Sequence, residues 1–145
     1  MPLTYQANGN LPAGIHVITI DQLKIDLGFT KKRRDLITGL LQAIKDLKSC
    51  GCTKLFLDGS FASNCDHPND YDACYDPTGM NWEKIFKEHP VFLDFSNARL
   101  NQKLKYGGEF FSATALASPP RELYIEFFQK DKNDNSPKGI IQINL

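Results

Sequence analysis

The sequence has no excess of charge of either sign. Seventeen lysines and arginines balance 17 aspartates and glutamates, and the isoelectric point is near 6.8. That balance argues against a dedicated nucleic-acid binder held by a broad basic face, although a small basic rim remains compatible with it. Long apolar runs are also missing: nothing approaches the stretch of about 18 residues that crosses a bilayer, so no membrane partner is expected. Met1-Pro2-Leu3-Thr4 lacks the charged start and apolar core of a signal peptide, and a soluble cytoplasmic protein is the expectation. Cysteine is scarce, with four residues in the chain, which excludes a disulfide-dense secreted scaffold. Cys50, Cys52, Cys65 and His67 could supply four zinc ligands, but their spacing is not a repeated CxxC pair, and we expect ordinary thiols. Repeats and convincing linkers are absent, and 145 residues fit one domain spanning 1–145.

The clearest periodicity is helical. Leu36, Ile37, Leu40, Leu41, Ile44 and Leu47 recur at three and four residues, which predicts a helix over Lys31–Ser49 with one buried stripe. Thr30 can cap its start and Gly51 can end it. Lys31, Lys32, Arg33 and Arg34 crowd the positive end of the helix dipole, where cations are unfavourable. A bound anion would offset that, but a solvated charge cluster is the simpler expectation.

Other segments are read from run length and alternation. Ile15 to Ile20 alternates and predicts a short strand. Lys54–Asp58 (KLFLD) is an apolar run stopped by Gly59, as expected of a buried strand. Asp70–Tyr75 (DYDACY) predicts a second strand, and Glu109-Phe110-Phe111 opens a further one. Asn81–Glu88 and Ala98–Tyr106 have helical spacing, and Val91–Phe95 (VFLDF) is another apolar run. Leu123–Gln129 and Ile140–Leu145 flank a polar stretch and predict a hairpin or two neighbouring strands, with a helix starting at Ser118-Pro119 as the alternative for the first. The expected fold class is α/β (α+β), a mixed sheet flanked by helices.

One segment points to chemistry. Leu57-Asp58-Gly59-Ser60-Phe61 ends an apolar run, and Asp70-Tyr71-Asp72 follows shortly downstream. On a strand, residues i and i+2 share a face, so Asp70 and Asp72 project together. Two adjacent carboxylates repel unless a cation lies between them, and hard oxygen donors select Mg²⁺ or Mn²⁺. Gly59 lets a ligand approach the backbone closely, and Ser60 offers a hydroxyl and amide N–H groups to a phosphate. By the same alternation Asp58 is expected to point away from Ser60's neighbours and to be structural. Lys138, in a turn before Gly139, is expected to be solvated. Trp82 and Tyr75 read as core residues.

Apolar residues, Gly-Ser, a short spacer and Asp-x-Asp together resemble the signature of the DNA polymerase β-like nucleotidyltransferase superfamily, with Leu57, Gly59, Ser60, Asp70 and Asp72 at its positions. The resemblance extends through Leu11-Pro12-Ala13-Gly14-Ile15-His16, the arginine-bearing first helix, Pro68-Asn69-Asp70-Tyr71-Asp72, Phe127-Phe128-Gln129 and Lys138-Gly139-Ile140-Ile141. Over nearly the whole chain it is similar to a bacterial family of small stand-alone proteins of unknown function with a nucleotidyltransferase-like domain. One departure is Cys65, where that loop often carries a basic residue. The resemblance implies a minimal nucleotidyltransferase fold and a third carboxylate from a later strand. Glu109, after the double glycine in GGEFFSA, resembles the acidic position; Asp94 fits on spacing alone. It also implies transfer of an NMP from an NTP such as ATP to an unknown hydroxyl on a protein, RNA or small molecule. Asp70, Asp72 and Glu109 would hold the metal and serve catalysis, while Gly59 and Ser60 would bind the nucleotide. The competing expectation is a catalytically silent module with a protein partner, antitoxin-like or regulatory. The absence of an added helical substrate domain favours it.

Overall fold

The computed structural model describes residues 2–118 and 122–145. Its centre is a five-stranded mixed sheet built from β1 (Ile15–Ile18), β2 (Lys54–Asp58), β3 (Tyr71–Tyr75), β4 (Gly108–Ser112) and β7 (Ile140–Asn144), in the order β1-β7-β2-β3-β4. β2 runs antiparallel to both β3 and β7, whereas β1–β7 and β3–β4 are parallel. A two-stranded ribbon, β5 (Leu116–Ser118) and β6 (Glu122–Leu123), stands apart. Helices α1 (Ile20–Leu27), α2 (Lys31–Ser49), α3 (Trp82–Glu88), α4 (Ser96–Tyr106) and the one-turn α5 (Tyr124–Phe127) complete the mixed α/β fold. No helix among the described residues is long and apolar enough to cross a membrane.

Alternation along the strands creates two faces with different duties. Leu55, Leu57, Tyr71, Ala73, Tyr75, Phe110, Ile141 and Ile143 pack against the stripe of α2, forming the main core with Leu36, Ile37, Leu40, Ala43, Ile44 and Leu47. On the opposite face Phe56, Cys74, Phe111 and Ile140 meet Phe128, Tyr124 and Ile125 of the α5 region. This second cluster is small and leaves the C-terminal end of β2 uncovered by apolar side chains.

Helix α2 matches its expected span, with the Thr30 hydroxyl accepting from the Arg33 amide at 3.2 Å. Other expectations need correction. Leu123–Gln129 is not a strand: only Glu122–Leu123 is extended before α5 begins, and no hairpin with the last strand forms. Ser118 closes β5, while Pro119 of the alternative helix start lies outside the described residues. Instead β7 enters the middle of the sheet between β1 and β2, pairing residues 84 to 125 apart, which local periodicity does not encode. In α4, Asn97, Ala98 and Arg99 hold left-handed conformations (φ 51°, 53° and 60°), so the right-handed helix begins only afterwards. Such residues cost about 1–2 kcal/mol each. Arg99 helps hold them, its Nε donating to the Phe110 carbonyl at 3.2 Å and its guanidinium lying 4.0 Å from the Phe111 ring centre.

The α2–α4 contact is close enough to require glycine. A Cβ on Gly39 would stand 2.0 Å from the Tyr106 carbonyl oxygen. Gly39→Ala therefore trades a gain of about 1 kcal/mol in helix propensity for an overpacking cost of about 3 kcal/mol. Urea unfolding of this variant should show a net loss of stability; a net gain would mean that the helices do not meet at this point.

Candidate functional site

The site begins where β2 stops. Gly59 turns the chain with φ +77°, and a Cβ there would lie 2.7 Å from Asp72 Oδ2. Only glycine makes the turn and leaves room for that carboxylate. Residues Gly59–Ala62 then form one 3₁₀ turn. Its position is fixed from inside the protein by Arg33, which is fully buried. Arg33 Nε donates to the Cys65 carbonyl at 2.8 Å, Nη1 to Phe61 at 2.9 Å and Leu27 at 3.3 Å, and Nη2 to Ser63 at 2.5 Å and Ser60 at 3.3 Å. The guanidinium also lies 4.3 Å from the Phe29 ring centre and 5.0 Å from that of Phe61. The expectation of a solvated basic cluster therefore fails for Arg33: it is the internal clamp of the Gly59–Cys65 loop. Lys31, by contrast, forms an exposed ion pair with Asp35 at 2.8 Å.

Sheet register gathers the carboxylates. Asp58 on β2 is opposite Asp72 on β3, and Asp72 is opposite Glu109 on β4. Opposed residues share a face, so the three form a row across the sheet on the α5 side. Asp70 sits just before β3 and lines the same cleft as Asp58, Gly59, Ser60 and Asp72. The expectation that Asp58 points away is thus corrected. Counting alternation from Phe56, whose side chain lies on the α5 face, puts Asp58 on that face too.

This cleft, whose volume is about 510 Å³, is also lined by β6 and the segment after it, which bring Phe127, Lys130, Lys132 and Lys138 together with the acidic Glu122 and Asp131. Lys138 is not a solvated turn residue, because its Nζ lies 3.3 Å from Asp58 Oδ1 and its side chain is mostly buried. Lys130 pairs with Glu122. The segment's conversion from expected strand to helix and turn hid this part of the lining from sequence reasoning.

The two third-carboxylate candidates separate. Asp94 follows a 3₁₀ turn and accepts from Ser96 N and Oγ and from Asn101 Nδ2, at 3.1, 2.5 and 2.7 Å; it does not line the cleft. Those hydrogen bonds hold its carboxyl below the usual range. Glu109 shares the sheet face with Asp72, but Lys103 Nζ lies 3.5 Å from it, and it stands beside the cleft rather than in its lining.

Electrostatics mark the row as short of positive charge. Burial, then the negative charges of Asp58, Glu109 and Asp70, raise the Asp72 carboxyl to about 7 despite Lys138. Burial raises Asp58 to about 6, against the opposing pull of Lys138 and the Gly59 amide. Asp58 Oδ1 is buried without a well-formed hydrogen bond: Lys138 is at ion-pair range but outside hydrogen-bond geometry. Among the described residues no three His, Cys, Asp or Glu side chains are gathered tightly enough to form a metal cage. This applies to the expected Asp70, Asp72 and Glu109 set and to the zinc alternative alike; Cys50 and Cys52 are buried thiols, and Cys65 is half-buried. The donor chemistry of the acidic row, with its orphaned oxygen, nevertheless fits a hard divalent cation sharing its shell with substrate oxygens.

The arrangement defines a class: a mixed α/β protein with a glycine-serine turn, aspartates and lysines lining one cleft. Residues 3–144 match a family of unknown function (DUF6932), and the chain belongs to that family. No curated protein and no solved structure matches it.

Two outcomes follow from these contacts. Arg33→Met leaves five carbonyls without their donor and should lower stability by about 3–5 kcal/mol in urea unfolding. Arg33→Lys should restore little, since one ammonium cannot span that fork. For Asp58 and Asp72 the folded values lie above the ordinary 3.8, so the folded state binds more protons between pH 4 and 7. Stability of the metal-free protein should therefore fall as pH rises through that window. Asp72→Asn should flatten the slope and raise Tm at pH 8 by about 3–6 °C. A pH-independent Tm in EDTA would contradict this account.

Proposed function

We propose that the protein is a metal-dependent nucleotidyltransferase that moves an NMP from an NTP to a hydroxyl on a protein, RNA or small molecule. One observation carries the reading: the Gly59-Ser60 turn, Asp70 and Asp72 line one cleft together with Lys130, Lys132 and Lys138. A triphosphate is a polyanion that needs cationic side chains, and its metal needs oxygen donors. Both are present in one cleft.

Gly59 and Ser60 bind the phosphates through a backbone with no side chain in the way at Gly59. Arg33 keeps that turn from sagging, so substrate meets a preformed surface. Asp70 and Asp72 hold the cation. When bound, Mg²⁺ or Mn²⁺ neutralises charge on the triphosphate and polarises the α-phosphorus for attack. The acceptor oxygen bonds to that phosphorus, the bond to the β-phosphate oxygen breaks, and pyrophosphate leaves with the electron pair. The acceptor proton passes through water to Glu109, which stands beside the cleft, next to Asp72 across the sheet. Since NTP pools are intracellular, this reading places the protein in the cytoplasm.

A second reading has its own support. Glu109 and Asp58 already have lysine counter-ions, at 3.5 and 3.3 Å, so neither depends on a bound cation to be neutralised. Thermal shift distinguishes the two. One NTP with Mg²⁺ should raise Tm by about 3 °C or more, and Asp70→Asn/Asp72→Asn should abolish the shift. With α-labelled NTPs, Mg²⁺ or Mn²⁺ and host lysate, a labelled acceptor should appear and vanish with the double variant. No shift with any NTP would sink the enzyme reading and leave the module.

A further inference from the structure

The Asp58–Lys138 contact is costly unless it serves something. Asp58 is 4 % exposed, and its Oδ1 accepts no well-formed hydrogen bond. Breaking such a buried pair is strongly destabilising, but keeping one rarely improves on apolar packing. Here the pair lies within the cleft, beside Asp72 and the Gly59-Ser60 turn, rather than in the core. Asp58 is held rigidly as the last residue of β2, in register with Asp72.

Lys138 is anchored as firmly at its backbone. Its amide donates to the Gln129 carbonyl at 2.9 Å, and the next amide, of Gly139, donates to Leu11 at 3.0 Å. A Cβ at Gly139 would lie 2.1 Å from the Pro12 carbonyl and 2.7 Å from His16 Nε2, so the chain is pressed against the β1 lead-in there. Only the flexible four-carbon stem of Lys138 is left to move. An ammonium at its tip has two kinds of partner in reach of one cleft, a carboxylate now and a phosphate when substrate enters.

We propose that Asp58 is the additional cation-binding carboxylate of this cleft and that Lys138 is its exchangeable counter-ion. When a cation–triphosphate complex binds, Lys138 gives Asp58 up to the divalent cation and pairs with phosphate oxygen instead. The proposal rests on the nucleotidyltransferase reading above and assigns to Asp58 the position expected of Glu109, which Lys103 occupies and which lies outside the cleft lining. The exchange keeps each charge paired throughout: the cation replaces Lys138 at Asp58, and Lys138 replaces water at the phosphate. It also gives the site selectivity, since a free cation must displace Lys138 without compensation, whereas a cation carrying a triphosphate supplies the new partner.

Mn²⁺ binding to the intact protein, followed by electron paramagnetic resonance, tests this without any turnover. In the absence of nucleotide, Lys138→Gln should tighten Mn²⁺ binding about tenfold, because Asp58 is released, and Asp58→Asn should weaken it about tenfold. With Mn²⁺ saturating, Lys138→Gln should weaken binding of an α,β-methylene NTP, tried with each of the four bases, by about tenfold. If Asp58→Asn does not fold, Asp58→Asn/Lys138→Gln leaves neither charge alone, and its Mn²⁺ affinity should fall below that of Lys138→Gln. Mn²⁺ affinity unchanged or weakened by Lys138→Gln overturns the counter-ion role. Binding lost in Asp72→Asn but unmoved by either Asp58 variant overturns the assignment of Asp58 while leaving the nucleotidyltransferase reading intact. No Mn²⁺ binding by any form, with or without nucleotide, overturns both.

Discussion

A single guanidinium sets the shape of the cleft. Arg33 sits in the first turn of α2, where its charge opposes the helix dipole, and it is buried without a carboxylate partner among the described residues. Burial pulls its pKa below the ordinary arginine value. The compensation is geometric: a rigid fork of donors meets carbonyls from Leu27 and from four residues of the loop after β2, with aromatic rings on Phe29 and Phe61 near its faces. A loop has no ladder to satisfy its carbonyls, and buried carbonyls must be paired. Arg33 supplies that pairing at the end of a strand whose next residues form the candidate phosphate surface. The fold therefore places its least favourable charge where loop order matters most.

The other wall obeys a related constraint. Packing Asp58, Asp72 and Glu109 across neighbouring strands puts like charges side by side on a half-covered sheet face. Desolvation and then repulsion raise Asp72 to about 7, a stress that Lys138 relieves only in part. The segment after β6 answers it with Lys130, Lys132 and Lys138 rather than with more apolar cover. Because β7 lies between β1 and β2, that segment is delivered directly above the end of β2. Site and topology are thus linked: moving the last strand to an edge would carry Lys138 away from Asp58.

The sequence was legible where local chemistry decides structure. The stripe Leu36–Leu47, Thr30 and Gly51 marked α2, and KLFLD and DYDACY marked β2 and β3 with their boundaries nearly correct. Gly59, Ser60, Asp70 and Asp72 do meet at one cleft, as their spacing suggested. What stayed hidden depends on partners distant in the chain. Arg33 looks like one of four surface cations until loop carbonyls surround it. Asp58 looks structural until register with Asp72 is known, and Lys138 looks solvated until β7 is placed. The strand-like residues Tyr124–Phe127 bend into α5, from which Tyr124 and Ile125 cover the Phe56 and Phe111 cluster rather than alternate along a ladder.

These features bear on the choice between an enzyme and a silent module. A protein that kept only the fold would gain by replacing Asp58 and Lys138 with apolar residues, since a buried pair with an unsatisfied oxygen stabilises little. It would also gain by relaxing Asp72, whose charged form the cleft disfavours. The chain keeps both, and keeps a turn so tight against Asp72 that no side chain fits at Gly59. Such costs, held together at one cleft, are what a site that must bind charge retains.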